Sequence, residues 1–167
     1  MFAKENMRGQ PLSAKKGEVR FRQSLIDQHL GNSHLFPNEY NESEMDRITA
    51  EKVKRIQDDV KELKKKGIRL SPFLEIGAGY GQASLILVNK FMAKGYATDL
   101  ARAPLTSIKK MAKKLKMTLI PQILVSDAER LPFLNNSFPF VFCYQTLHHF
   151  PHPGIVTKEV KRVLKPG

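Results

Sequence analysis

The sequence predicts an α/β fold in which helices cover both faces of a parallel sheet. Three observations lead to this prediction. Short apolar runs alternate with amphipathic runs after residue 67, a glycine-rich turn follows the first apolar run, and acidic residues recur where the apolar runs end. Alternation of this kind is typical of parallel strands joined by right-handed helical crossovers.

Four apolar runs of strand length supply the predicted sheet. Pro121 restricts the third of them to an edge position or to the first residues of its strand, because proline cannot donate to a ladder. The runs are "FLEI" (73–76), "YATDL" (96–100), "LIPQILVS" (119–126) and "FVFCYQTL" (140–147).

Three helices are predicted between and after these strands. The first spans 82–95 and ends at a glycine, and the last spans 155–164 before "KPG". Pro104 can open the middle one, because a helix does not need the N–H groups of its first turn.

The segment before the first strand is predicted to contain less regular structure. Residues 1–40 carry several glycines and prolines, and we expect an irregular arm with one short helix at 21–30. A second helix should begin with Ser43 as its N-cap and end before Gly67. We therefore divide the chain into a cap or lid at 1–70, in which Tyr40 is a candidate to close on a ligand, and a ligand-binding domain at 71–167.

Composition limits the class of protein without fixing a partner. The chain has 167 residues, a net charge of +12 and one cysteine, Cys143. Strong positive charge admits nucleic acid as a partner, but no basic motif with interleaved aromatics supports it. A lone cysteine, no secretory leader and no membrane span together predict a cytoplasmic protein.

Five acidic residues follow residue 70, and three of them lie at strand ends. Glu75, Asp99 and Asp127 each end or follow a different predicted strand. Ligands of open α/β sheets bind at the carboxyl ends of the strands. The three carboxylates should therefore meet in one crevice and bind a ligand with donors or positive charge.

The loop "EIGAGYGQ" (75–82) is compatible with several ligands when taken alone. A phosphate-binding loop needs Lys-Ser/Thr after its last glycine, where this chain has Gln82 and Ala83. A dinucleotide loop needs G-x-G-x-x-G, and here the third glycine comes one residue early. Asp99 stands where a ribose-binding acid is expected, but other adenosine sites share that acid.

With these segments in order, the sequence resembles the class I S-adenosylmethionine-dependent methyltransferases, particularly the type 11 group similar to quinone-biosynthesis enzymes. The resemblance rests on "LEIGAGYGQ" (74–82), "YATDLA" (96–101), "SDAERLPF" (126–133), "FVFCYQTLHHFPHP" (140–153) and "EVKRVLKPG" (159–167). It implies a Rossmann-like fold, S-adenosyl-L-methionine as cofactor and a small-molecule methyl acceptor.

The resemblance also implies roles for individual residues. Asp99 would accept the ribose hydroxyls, Leu100 would pack on adenine, and Glu75 would approach the methionyl ammonium. Asp127 would accept the adenine amino group, with the Ala128 N–H at a ring nitrogen. The remaining predicted cofactor residues are Gly77, Ala78, Gly79, Gly81 and Tyr144.

His148 and His149 follow the fourth predicted strand and are the candidate general bases. A base is needed only when the acceptor carries a weakly acidic proton. A metal site formed by these residues and His152 is disfavoured, because no carboxylate lies nearby in sequence. Two other functions stay open: a non-catalytic cofactor-binding or interaction module, and an NAD-dependent oxidoreductase.

The resemblance implies seven strands, with the fifth beside the fourth, whereas this sequence ends after the helix that follows the fourth strand. An apolar edge strand is usually covered or paired. We therefore expect a truncated fold, or a chain that pairs this edge with a second copy.

Overall fold

The computed structural model describes residues 11–27 and 42–167, which form six α-helices and four strands. The helices are α1 (Pro11–Asp27), α2 (Glu42–Lys65), α3 (Gln82–Lys90), α4 (Arg102–Thr106), α5 (Ile108–Lys114) and α6 (Pro153–Val163). The strands are β1 (Phe73–Ile76), β2 (Gly95–Asp99), β3 (Gln122–Val125) and β4 (Phe140–Phe142).

The four strands form one parallel sheet in the order β3-β2-β1-β4. Glu75 on β1 lies opposite Ala97 on β2 and Phe142 on β4. The parallel sheet is confirmed, and β3, which follows Pro121 directly, is an edge strand as predicted. The other edge is β4, and its pairing with a second copy stays a prediction.

Each face of the sheet has its own apolar core, which confirms helices on both faces. On one face, α2, α3 and α5 pack over Phe73 and Ala97. On the other, α6 and the segment after β3 pack over Leu74 and Ile76. The whole of β1 is buried between the two cores. Burying one such large apolar side chain contributes roughly 1.5–3 kcal/mol.

The N-terminal boundaries differ from those predicted. Helix α1 begins at Pro11, ten residues before the predicted start, because proline is tolerated in a first turn and the exposed Gly17 costs only about 1 kcal/mol. Helix α2 begins at Glu42, so Ser43 lies inside its first turn rather than at its N-cap. Tyr40 lies outside the described residues.

Left-handed turns shorten two of the predicted elements. Met92 has φ +53° and ends α3 at Lys90 rather than at residue 95. Gln145 has φ +56°, and β4 ends at Phe142 instead of continuing to residue 147. Cys143 therefore follows the strand, and Leu147–His149 form a 3-10 turn.

Two further boundaries differ by a few residues. The helix expected to open at Pro104 starts at Arg102 and is divided at Ser107 into α4 and α5. The third strand is confined to Gln122–Val125. Among the described residues, no helix is long and apolar enough to cross a membrane.

Candidate active site

The glycine loop turns sharply between β1 and α3 at the carboxyl edge of the sheet. Gly77, Gly79 and Gly81 have φ of +66°, +53° and +67°, a region that residues with a Cβ rarely adopt. The Ala78 N–H donates to the Thr98 carbonyl (2.8 Å), and the Gly81 N–H donates to the Ala78 carbonyl (2.8 Å). The alternating glycines are therefore needed by the turn itself, whatever ligand it holds.

The three glycines have different surroundings. A Cβ on Gly77 would lie 2.9 Å from Thr146 Cβ, and one on Gly81 would lie 2.8 Å from Ile108 Cδ1. A Cβ on Gly79 would meet no atom within 4 Å. Two of the glycines thus permit close packing within the protein, and the middle one presents bare backbone to open space.

Asp99, the last residue of β2, fixes this exposed part of the loop. Its Oδ2 accepts the Gly79 N–H (2.9 Å), and its Oδ1 accepts the Ala101 N–H (2.9 Å). Burial nevertheless raises the pKa of the Asp99 carboxyl, against the lowering effect of these two hydrogen bonds. Each Asp99 oxygen accepts one of these hydrogen bonds and has a second lone pair, so the carboxylate can accept further hydrogen bonds from a ligand.

Glu75 is buried below the loop, with 2% of its surface exposed. Its Oε2 accepts hydrogen bonds from the Ser84 N–H (3.0 Å) and from the Ser84 hydroxyl. Burial raises the pKa of the Glu75 carboxyl to about 7, although these hydrogen bonds and the Lys52 charge act in the opposite direction. A neighbouring cation would lower this pKa and favour the ionised form.

Asp127 follows β3 and lies in a charged cluster with a residue from α1. Lys15 Nζ donates to Asp127 Oδ2 (2.8 Å) and to Glu129 Oε2 (2.7 Å). Asp127 Oδ1 accepts the Glu129 N–H (2.9 Å), and His152 Nδ1 lies 3.1 Å from Glu129 Oε1. Only 10% of the Lys15 side chain is exposed, so α1 is held against the crevice by a largely buried ion-pair network.

A cavity of ≈ 390 Å³ opens between α1 and the carboxyl edge of the sheet. Seven of the predicted site residues line it: Gly77, Asp99, Leu100, Asp127, Ala128, His148 and His149. The other five, Glu75, Ala78, Gly79, Gly81 and Tyr144, are not part of its lining. Gly79 is instead joined to the cavity wall by its hydrogen bond to Asp99, whereas Glu75 is buried and bonded to Ser84, which does not line the cavity.

The two histidines belong to the exposed 3-10 turn that follows β4. Their ring centroids are 4.1 Å apart. Partial burial lowers the pKa of His149, so its imidazole is predominantly neutral at pH 7 and can accept a proton. No group of three or more potential metal ligands occurs within residues 11–27 and 42–167.

Nine residues that line the cavity were not among the predicted site residues: Ala14, Lys15, Glu18, Arg22, Ser126, Glu129, Thr146, Phe150 and Pro151. Ser84, which binds Glu75 outside this lining, was not predicted either. Ser84 had a usable signal, because it interrupts an apolar helical run that follows a buried strand carboxylate. The sequence around Lys15 carries no local pattern that indicates its contacts with Asp127 and Glu129.

A family model described as methyltransferase domain matches residues 74–167 of this sequence. This stretch contains the glycine loop, Asp99, Asp127 and both histidines.

The chain belongs to this methyltransferase family.

Curated relatives support the assignment over the same part of the chain. The ubiquinone/menaquinone biosynthesis C-methyltransferase of Rickettsia typhi is 32% identical over 101 residues, which cover 58% of this chain and 41% of the relative. The 2-methyl-6-phytyl-1,4-hydroquinone methyltransferase of Synechocystis is 29% identical over 96 residues, covering 56% and 29%. The chain thus spans less than half the length of these relatives.

Solved structures show the same fold. An S-adenosylmethionine-dependent methyltransferase from Aquifex aeolicus aligns with a TM-score of 0.56 and 25% identity, over 77% of this chain and 69% of that one. The cyclase SpnF aligns with a TM-score of 0.55 and 23% identity, over 66% and 42%, which shows the fold alone. Because enzymes with different reactions share this fold, the reaction has to be argued from the site.

Proposed function

We propose that this chain binds S-adenosyl-L-methionine at the carboxyl edge of its sheet and transfers the methyl group to a small-molecule acceptor. The observation that carries the proposal is the pairing of Gly79 with Asp99. A glycine with open space above it is bonded to a carboxylate that faces the cavity. This pairing suits a ligand that combines an adenosine ribose with a chain lying against the loop.

The residues present fit such a ligand. The cavity volume lies in the usual range for small-molecule sites, about 300–1,000 Å³. Asp99 would accept the ribose hydroxyls, Leu100 would pack on adenine, and Asp127 and the Ala128 N–H would face the ring edge. Glu75 would lie toward the methionyl ammonium, and the backbone at Ala78, Gly81 and Tyr144 would complete that end.

S-adenosylmethionine, when bound, supplies a methyl group already activated by its sulfonium. The protein then has to align the acceptor and exclude water from the reacting centre. His148 and His149 lie at the cavity wall and are the groups placed to take a proton from an acceptor hydroxyl or ring carbon. Partial burial lowers the pKa of His149 and thereby favours the neutral imidazole that can accept a proton.

Helix α1 is proposed to act as a lid on the adenosine end. It contributes Ala14, Lys15, Glu18 and Arg22 to the cavity wall. Lys15 forms the latch, because its ammonium joins α1 to Asp127 and Glu129 across the opening. Ligand exchange would require these two ion pairs to break and re-form.

A small molecule is the acceptor class that the relatives favour. Their names specify quinone-biosynthesis and hydroquinone methyltransferases. The net charge of +12 remains compatible with nucleic acid, but the cavity walls carry a mixture of both charges rather than a basic surface. We also propose a reducing, cytoplasmic setting, for which the single free cysteine is the support.

Calorimetric titration of the 167-residue chain with S-adenosylhomocysteine and with NAD tests the cofactor. We expect binding of the former only. Asp99→Ala should weaken it at least tenfold, because hydrogen bonds to a charged group are worth roughly 1.5–3 kcal/mol. Asp58→Ala is the control, since Asp58 is exposed on α2 and pairs only locally with Lys61.

Binding of NAD without S-adenosylhomocysteine would overturn the proposed cofactor, and unchanged affinity in Asp99→Ala would remove Asp99 from the site. Transfer of a labelled methyl group to demethylated quinols then separates an enzyme from a module that binds the cofactor without turnover.

A further inference from the structure

A lysine on α2, Lys52, lies close to Tyr144 after β4, and its charge acts on Glu75 on β1. Lys52 Nζ lies 6.0 Å from the centroid of the Tyr144 ring. Tyr144 follows β4 closely, and Phe142 on that strand is the register partner of Glu75. Lys52 is also near enough to Glu75 for its charge to lower the pKa of that carboxyl.

The surroundings of Lys52 differ from those of other lysines on the same helix. Lys61 and Lys65 form exposed ion pairs with Asp58 and Glu62. Lys52 is partly buried, and burial lowers its pKa more than Glu75 raises it. Among the residues that the structure describes, Lys52 Nζ has no hydrogen-bond or ion-pair partner.

An ammonium group in such a place has unused donors and incomplete hydration. It carries three N–H donors, and a desolvated cation is stabilised by a bound anion. Glu75 is the acidic group whose charge acts on Lys52, and the Glu75 carboxylate is itself buried and bonded to Ser84. The position therefore favours a ligand that brings its own carboxylate.

We propose that Lys52 binds the carboxylate of the methionyl group of S-adenosylmethionine, while Glu75 faces its ammonium. This inference rests on the proposed function and adds a residue outside the family motifs. An amino acid zwitterion placed between Glu75 and Lys52 gives alternating charges along the site. Each charge would then have an opposite neighbour in a poorly hydrated environment.

A pair of ligands that differ only in the carboxylate tests the proposal. S-adenosylhomocysteine carries both the ammonium and the carboxylate, and its decarboxylated analogue keeps the ammonium alone. Lys52→Met should weaken the first roughly ten- to a hundredfold, the range for a hydrogen bond to a charged group, and leave the second unchanged. Lys52→Arg, which keeps the positive charge, should restore most of the preference for the carboxylate.

Lys64→Met is the matched control. Lys64 lies on the same helix, and its Nζ is also 6.0 Å from an aromatic centroid, that of Phe91. Its partner is at the far end of α3, away from the glycine loop, so both ligands should bind this variant as they bind the parent.

Equal weakening of both ligands by Lys52→Met, or weakening of neither, would overturn the role of Lys52 while leaving the cofactor assignment intact. Failure of the parent chain to bind either ligand would overturn the proposed function and this inference together. Calorimetry gives these affinities without a turnover assay. Circular dichroism of Lys52→Met and Lys52→Arg establishes that the compared chains are folded.

Discussion

Replacing Glu75 with glutamine should change how the stability of the chain depends on pH. Glu75 is buried, and its folded-state pKa is about 7, above the ordinary value of 4.5. Between these two values the folded chain holds a proton that the unfolded chain has released. Stability from this group is therefore complete below about pH 4.5 and is lost as the pH rises through 7.

The size of the effect follows from the width of that window. One pKa unit corresponds to about 1.4 kcal/mol, so a rise from 4.5 to about 7 amounts to about 3 kcal/mol. Glu75→Gln remains neutral throughout, and its side-chain oxygen can still accept the Ser84 N–H and hydroxyl. At pH 8 the variant should be more stable than the parent, by less than this amount if the new NH₂ group lacks an acceptor.

Urea unfolding followed by circular dichroism at pH 5, 6, 7 and 8 measures the difference. The free energy of unfolding of the parent should fall with pH more steeply than that of Glu75→Gln. Glu159→Gln is the control, because its hydrogen bond with Arg162 lowers the pKa of Glu159, and its contribution is lost only at more acid pH. A Glu75→Gln variant with the same pH slope as the parent would refute the reasoning.

Two further predictions concern the loop and the lid. Gly79→Ala should destabilise the chain only by the strain of a left-handed residue, roughly 1–2 kcal/mol, but weaken S-adenosylhomocysteine binding at least tenfold. Gly81→Ala should lower the thermal midpoint further than Gly79→Ala, because its Cβ meets the fully buried Ile108. Equal stability of the two variants would contradict this packing. Lys15→Met should speed association of S-adenosylhomocysteine several-fold in stopped-flow experiments by releasing the latch, whereas the exposed Lys16→Met should not; identical rates would argue against a lid.

The sheet was predictable because its signals are local. Each strand lies in a short apolar run, glycines stand at the ends of the first two, and the carboxylates Asp99 and Asp127 end or follow two of these runs. Parallel strands all end at one edge, so sequence order alone places these two residues in the same crevice. Both line the cavity in the structure.

The side of the cavity formed by α1 was not predictable in the same way. Lys15 reaches Asp127 across 112 positions in sequence, and no local pattern encodes such a contact. Glycine and proline in the segment also favoured an irregular interpretation, although both are accommodated in α1. The extent of β4 was overestimated for a related reason, since its apolar run continues through Cys143 while the backbone leaves the ladder.

Arg162 on α6 holds the segment that follows β3 and Asp127, although it lies outside the cavity lining. Its guanidinium donates to the Leu131 carbonyl (2.9 Å) and the Phe133 carbonyl (2.7 Å), and Glu159 beside it accepts the Leu131 N–H (2.8 Å).

These hydrogen bonds hold residues 131–133, which come shortly after Asp127, Ala128 and Glu129. No helix lies between β3 and β4 in this part of the chain. Under the proposed function, Arg162 and Glu159 would therefore fix the segment next to the residues that would contact adenine. On that proposal, a substitution at Arg162 alters nucleoside affinity without changing any residue proposed to contact the nucleoside.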